Sequence, residues 1–197
     1  RQLESSWYNS SKINRSKERI TRTDFFSDVN VETPAVPGTT DQVDMIITVT
    51  EKSTGSVQFG AGLSSNEGVV FGTTINQANF LGTGNRINAQ INTGQVNTTY
   101  SLSYTDPYFT PDGVSRGFDV YRRDVDTSSL STSSFSTTSY GGGVRFGVPI
   151  NERDGYNFGL AVDFTKVELD GEDSPKQYKD FCSPNLSCTS NSLVASA

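Results

Sequence analysis

The sequence predicts a mainly β fold. An antiparallel transmembrane β-barrel sheet of about seven strands fills residues 55–197, and a small α+β piece precedes it over residues 1–54. Three observations predict this. From Ser56 onward apolar residues recur with period two almost everywhere, the spacing of a strand with one apolar face. Several of these runs reach about ten residues, enough to cross a bilayer at a tilt, whereas soluble strands centre on five or six. Finally, only 33% of the 197 residues are hydrophobic, yet 11% are aromatic and 18 are glycine. A disordered chain is poor in aromatics, so this balance fits strands that are polar on one side.

The composition also excludes. There is no histidine, which removes Ser-His-Asp and Cys-His catalysis and histidine metal sites. No catalytic residue, metal site or cofactor is expected. The net charge is −6, and a nucleic-acid partner would call for a basic surface. Apolar runs such as Met45-Ile46-Ile47 fall far short of the roughly 20 residues of a membrane helix, which leaves strand-type spans open. The chain starts Arg1-Gln2-Leu3 without an initiator Met and stops at Ala197 without a terminating feature, so both ends read as cuts in a longer protein.

In residues 1–54, Ser10 or Ser11 can cap a helix running to about Arg22, with Ile13 and Ile20 on one face. Asp24 starts a break and Phe25-Phe26 anchor it. Val29 and Val31 then mark a strand that Pro34, Pro37 and Gly38 end. Val43, Met45, Ile47 and Val49 alternate as its hairpin partner.

Beyond Ser56 the parity can be followed strand by strand. Val57, Phe59, Ala61 and Leu63 oppose Gln58, Gly60, Gly62 and Ser64. After the turn Ser65-Asn66-Glu67-Gly68 come Val69, Phe71, Thr73 and Ile75, and after a turn at 81–85 come Ile87, Ala89 and Ile91. Tyr100, Leu102 and Tyr104 follow Gly94-Gln95. Phe118 and Val120 alternate less cleanly. The last two runs are Tyr140 to Ile150 and Tyr156 to Phe164, split by Asn151-Glu152-Arg153-Asp154. Lipid offers no hydrogen bonds to an open sheet edge, so such a sheet should close into a barrel. One alternate set of turns (80–85, 107–113, 151–154) stays short. The other lengthens after about residue 126 and ends in a loop from about 170 to 191. Barrels of this kind keep short turns in the periplasm.

Three segments add a resemblance. They are Lys17-Glu18-Arg19-Ile20 leading into Asp24-Phe25-Phe26-Ser27-Asp28-Val29, then Asn79-Phe80-Leu81-Gly82-Thr83-Gly84, then Thr105-Asp106-Pro107-Tyr108-Phe109-Thr110-Pro111-Asp112-Gly113-Val114-Ser115-Arg116-Gly117. In this order and spacing they resemble the BamA family of outer-membrane protein assembly factors along essentially the whole chain. The resemblance implies that residues 1–54 are the C-terminal part of the last POTRA domain, in the periplasm, lacking its first strand and most of its first helix. Residues 55–197 would be the N-terminal half of a sixteen-stranded barrel in the bacterial outer membrane, stopping near the start of strand eight. The family's Val-Arg-Gly motif and closing strand are not present. The implied role is folding and inserting client β-barrel proteins, with assembly-complex lipoproteins and outer-membrane lipid as partners, and no nucleic acid. TamA-like factors, two-partner secretion pores and a passive porin-type barrel are the alternatives. An outer-membrane lipase or acyltransferase is disfavoured by the missing histidine.

Within that frame the first barrel strand, Val57-Gln58-Phe59-Gly60-Ala61-Gly62-Leu63, is the candidate client-strand template at a lateral gate. Gly60 and Gly62 either weaken this edge for exchange or relieve crowding inside a tilted barrel. Leu81-Gly82-Thr83-Gly84 lacks a following Gly-Lys-Ser/Thr and reads as a tight turn, not a phosphate loop. Cys182 and Cys188, placed in a polar loop with Pro184 and Asn185, are expected to form a disulfide in an oxidising compartment. Free thiols or a metal pair are the alternatives, though two cysteines alone make a poor zinc site. Glu168, Asp170, Glu172 and Asp173 read as a solvated acidic loop. Arg145 and Asp163, with Arg123 a further candidate, would face the lumen, where charges pair or line water.

Overall fold

Asn9, not Ser10 or Ser11, caps the first helix: its Oδ1 accepts the Lys12 N–H at 3.1 Å, and α1 runs Ser10–Arg22. Capping needs the residue just outside the helix, and the two serines are already inside it. Arg19 and Arg22 complement the C-terminal dipole, and Asp24 ends the helix with a left-handed φ of 62°. This is a computed structural model, and it describes residues 2–65, 67–127, 135–150, 154–169, 176–182 and 187–197.

The chain divides into two compact units, 1–54 and 55–197. In the first, α1 lies on a hairpin of β1 (Phe26–Glu32) and β2 (Ile46–Glu51), with Val29 opposite Val49 and Val31 opposite Ile47. Ile13 and Val29 are its buried residues. The second strand begins at Ile46 rather than Val43. Pro34 accepts the Asp44 N–H at 2.9 Å but has none to give back, so the ladder lapses, and Val43 retains only an isolated bridge to Ala35. Lys52 pairs with Asp24 at 2.5 Å, tying the end of the hairpin to the end of the helix.

The second unit is one antiparallel sheet in strict chain order. Its strands are β3 (Gly55–Ser64), β4 (Gly68–Gln77), β5 (Arg86–Thr93), β6 (Asn97–Asp106), β7 (Ser115–Asp126), β8 (Phe135–Pro149), β9 (Gly155–Leu169) and β10 (Ser187–Ser196). The helix α2 (Lys176–Cys182) precedes the last strand. Eight strands therefore form where alternation marks seven. β10 occupies residues expected partly as loop, and it pairs with β9 from Ser187↔Glu168 to Ser196↔Gly159. Its first half is small and polar and its apolar residues Leu193, Val194 and Ala195 are consecutive rather than alternating, so the ladder to β9, not a hydrophobic pattern, makes it a strand. No helix of the described residues is long and apolar enough to cross a membrane, which says nothing about strands.

Register puts the alternating residues into continuous rows. Tyr104, Phe118, Val144 and Leu160 lie side by side on four strands, and Tyr104 and Phe118 stack at 6.3 Å. Tyr140–Phe164 and Phe146–Phe158 stack at 5.3 and 5.6 Å. Phe59 is 80% exposed and Leu160 61%, so nothing among the described residues covers this face. A β-sandwich would bury it under a second sheet. On β9 the apolar positions run from Tyr156 to Phe164, about 27 Å along the strand and about 20 Å across a membrane at the usual tilt.

The opposite face is polar and partly paved with glycine. An apolar cluster lies at its loop end, where Val167, Leu169 and Cys182 are buried together with Phe135 and Cys188 packed against them.

Candidate functional site

The strand β3 ends the sheet. Its ladder to β4 runs without interruption from Gly55↔Gln77 to Ser64↔Gly68, and no described strand pairs with its other side. Val57, Phe59, Ala61 and Leu63 share the apolar face. Gln58, Gly60 and Gly62 share the polar one. Gly60 stands opposite Gly72, and a Cβ built on Gly60 meets only the Gly72 carbonyl oxygen, at 4.0 Å. A Cβ on Gly62 comes 3.3 Å from Val70 Cγ2, a contact that small movements absorb. The tip of this hairpin is tethered: Glu67 Oε2 accepts the Asn97 N–H at 3.1 Å, and the Glu67 carbonyl accepts the Gln95 N–H at 3.1 Å. The turn residue Asn66 lies outside the described residues.

The Asn79–Gly84 segment is a tight turn built around one 3-10 turn, Phe80–Gly82. Asn79, Leu81, Gly82 and Gly84 all have positive φ. Asn79 Oδ1 accepts the Gly84 N–H at 2.8 Å, and Thr83 Oγ1 donates to the Phe80 carbonyl at 2.6 Å. Leu81 stands out at the tip, 84% exposed.

The Asp106–Gly113 turn is held the same way. Asp106 Oδ1 accepts the Tyr108 N–H at 3.1 Å just before Phe109, and Gly113 donates to the Thr110 carbonyl at 2.9 Å, past Pro107, Pro111 and Asp112. Arg116, part of the third sequence segment but given no role there, lies across this turn. Its guanidinium sits 4.0 Å over the Phe109 ring and 4.0 Å from Asp106. Equal steps outward from Pro111 align Asp106 with Arg116, so hairpin counting could have found the pair.

On the polar face, Arg145 pairs with Asp119 at 2.6 Å and reaches Ser103 Oγ at 3.4 Å, while Asp163 takes the Tyr121 hydroxyl. Arg123 lies opposite Thr99 and Ser139 on the same face. Tyr121 was not legible as a partner because the pairing depends on the register of three strands. Arg122 lies on the apolar side, between Tyr100 and Tyr140, and pairs with Asp124 at 2.9 Å. Cys182 and Cys188 are joined by a disulfide with 5.1 Å between their Cα atoms. They do not share a loop: Cys182 ends α2, and Cys188 is in β10 opposite Val167. Of the acidic group, Glu168 pairs with Lys166 at 2.5 Å, and Asp170, Glu172 and Asp173 lie outside the described residues, as do Pro184, Asn185 and residues 151–153.

Comparison with known proteins agrees with this geometry. The model of the Omp85 superfamily domain matches residues 79–196, and the POTRA model, described as a surface antigen variable number repeat, matches residues 1–52. The outer membrane protein assembly factor BamA of Neisseria meningitidis serogroup B is 40% identical over 183 residues, covering 92% of this chain and 23% of that protein. The BamA of Nitratidesulfovibrio vulgaris is 28% identical over 91% of this chain and 22% of its own length. The crystal structure of BamA from Haemophilus ducreyi lacking POTRA domains 1–3 superposes with a TM-score of 0.75 at 33% identity, over 98% of this chain and 38% of that one. The chain spans about a quarter of the length of the curated relatives it matches. The likeness to outer-membrane assembly factors, with a POTRA match over residues 1–52 and an Omp85 match over residues 79–196, places the sheet in the bacterial outer membrane and residues 1–54 in the periplasm. With a POTRA unit leading into an alternating, lipid-length sheet, the chain belongs to the Omp85 superfamily.

Proposed function

We propose that the protein assembles outer-membrane β-barrel proteins, and that β3 acts as the edge on which a client strand first pairs. The client is another outer-membrane β-barrel chain, and the partners are lipoproteins of an assembly complex and outer-membrane lipid. The N–H and C=O groups on the far side of β3 template an incoming strand, as in other strand-addition complexes. Among the described residues β3 and β10 both end the sheet, and the observation that singles out β3 is its glycine content on the polar face, with Gly60 opposite Gly72. This edge has little side-chain packing to lose, since a Cβ at Gly60 would meet only the Gly72 carbonyl oxygen within its own sheet.

The test is Gly60→Val with Gly62→Val in the whole protein, read by client assembly and by crosslinking between β3 and the strand that closes on it. The expected result is slower client assembly with stronger crosslinking, because branched side chains raise strand preference. Unchanged assembly and unchanged crosslinking would remove the template role.

A further inference from the structure

Asp106 and Arg116 face each other in register at the turn end of the apolar face. A charged pair in that position needs a reason, because the rows above it are apolar and exposed. The pair is incompletely made. Its N–O separation is 4.0 Å, well beyond the roughly 2.8 Å of a charge-assisted hydrogen bond. Asp106 Oδ1 is engaged by the Tyr108 N–H, and Arg116 Nε has no hydrogen-bond partner among the described residues. The guanidinium carbon lies 4.0 Å from the Phe109 centroid and 5.3 Å from that of Phe118. The Arg116 and Asp106 side chains keep 32% and 21% of their surface open. Beside them Tyr108 is 63% exposed and Phe109 45%. Aromatic rings flanking a charge at the rim of an apolar face suit the headgroup layer of a bilayer.

We infer that Asp106 and Arg116 together seat a zwitterionic phospholipid headgroup, its phosphate on the Arg116 guanidinium and its primary ammonium on the Asp106 carboxylate. A lone arginine would select any anionic lipid. A cation and an anion 4 Å apart instead match a headgroup that carries both signs at short separation. The phosphate accepts from the guanidinium N–H groups, and the ammonium supplies donors to the Asp106 oxygen left over by the turn. Phe109 and Tyr108 lie against the glycerol and upper acyl region. The inference rests on the apolar face meeting lipid.

The experiment uses the whole protein reconstituted in vesicles of phosphatidylethanolamine, phosphatidylcholine and phosphatidylglycerol in equal parts, with retained lipid read by native mass spectrometry. Ethanolamine lipid is expected to be retained about tenfold over choline lipid, which has the same phosphate but no N–H donors. Arg116→Gln and Asp106→Asn each abolish that preference, and Asp106→Asn preserves the acceptor for the Tyr108 N–H, so the turn still folds. Glycerol lipid retained best, with Asp106→Asn without effect, overturns the paired seat in favour of simple anion attraction. In the same vesicles, Val120→Trp with brominated acyl chains reads the face itself. Quenching without headgroup preference sinks the seat alone, and absence of quenching sinks the membrane-facing reading with it.

Discussion

The Tyr121 hydroxyl donates to Asp163 Oδ1 at 2.5 Å across the strand that lies between them. The bond passes over Gly141, which stands opposite Tyr121 on one side and Asp163 on the other. A Cβ at Gly141 would lie 2.3 Å from Asp163 Oδ1 and 2.8 Å from both Tyr121 Cε1 and the Val162 carbonyl oxygen. Two of these atoms belong to the side chains that the hydrogen bond ties together and the third is backbone, so no free side-chain tip can swing away to relieve the clash. Gly141→Ala is therefore expected to destabilise the folded barrel by about 1–3 kcal/mol. Urea unfolding of the whole protein in lipid vesicles measures it, with Gly60→Ala as the comparison, because Gly60 has room for a methyl group. Equal midpoints for the two variants would show that the polar face adjusts freely around Gly141.

The same relationship explains what sequence could and could not reveal. Alternation from Val57 to Phe164 needs only neighbours along the chain, so strands, faces and the short turns were readable. Tyr121 and Asp163 become partners only after β7, β8 and β9 are set in register, with residues 128–134 and 151–153 intervening. The strand β10 offers Ser187, Thr189, Ser190, Asn191 and Ser192 in a run with no apolar alternation, so no pattern announces it. Asn9 was displaced by its neighbours Ser10 and Ser11, which are equally good caps in composition and differ only in where the helix starts.

Arg145 and Asp119 make a second pair on the polar face, but their side chains are 57% and 35% exposed. Water competes for both charges and holding the long arginine is entropically unfavourable. A double-mutant cycle of Arg145→Gln and Asp119→Asn should give a coupling below about 1 kcal/mol, falling with added salt. A larger, salt-insensitive coupling would mean that the lumen around Arg145 is dry.

At the Asn79 turn one side chain has two tasks. It holds φ at 62° and its Oδ1 takes the Gly84 N–H. Asparagine tolerates the left-handed region better than alanine does. Asn79→Ala should lose both contributions, about 2 kcal/mol together, while Asn79→Gly should lose about half of that, keeping the backbone free but dropping the hydrogen bond. The ranking is read from unfolding midpoints, and an alanine variant as stable as the glycine variant would show that the backbone angle contributes nothing.

Cys182 and Cys188 enclose a short loop, and such a crosslink restrains the unfolded chain by about 2 kcal/mol. The sulfurs join α2 to β10 where Cys182 is buried with Val167 and Leu169. The β9–β10 ladder continues for eight residue pairs beyond Cys188, so it does not depend on the bond. Cys182→Ala with Cys188→Ala is thus expected to act locally. Amides of Ser187 to Ser190 should exchange hydrogen faster, and limited proteolysis should cut near residues 176–186, while those from Leu193 to Ser196 keep their protection. Protection lost along the whole of β10 would instead make the disulfide the anchor of the strand, and no change anywhere would leave the apolar cluster as the sole restraint on α2.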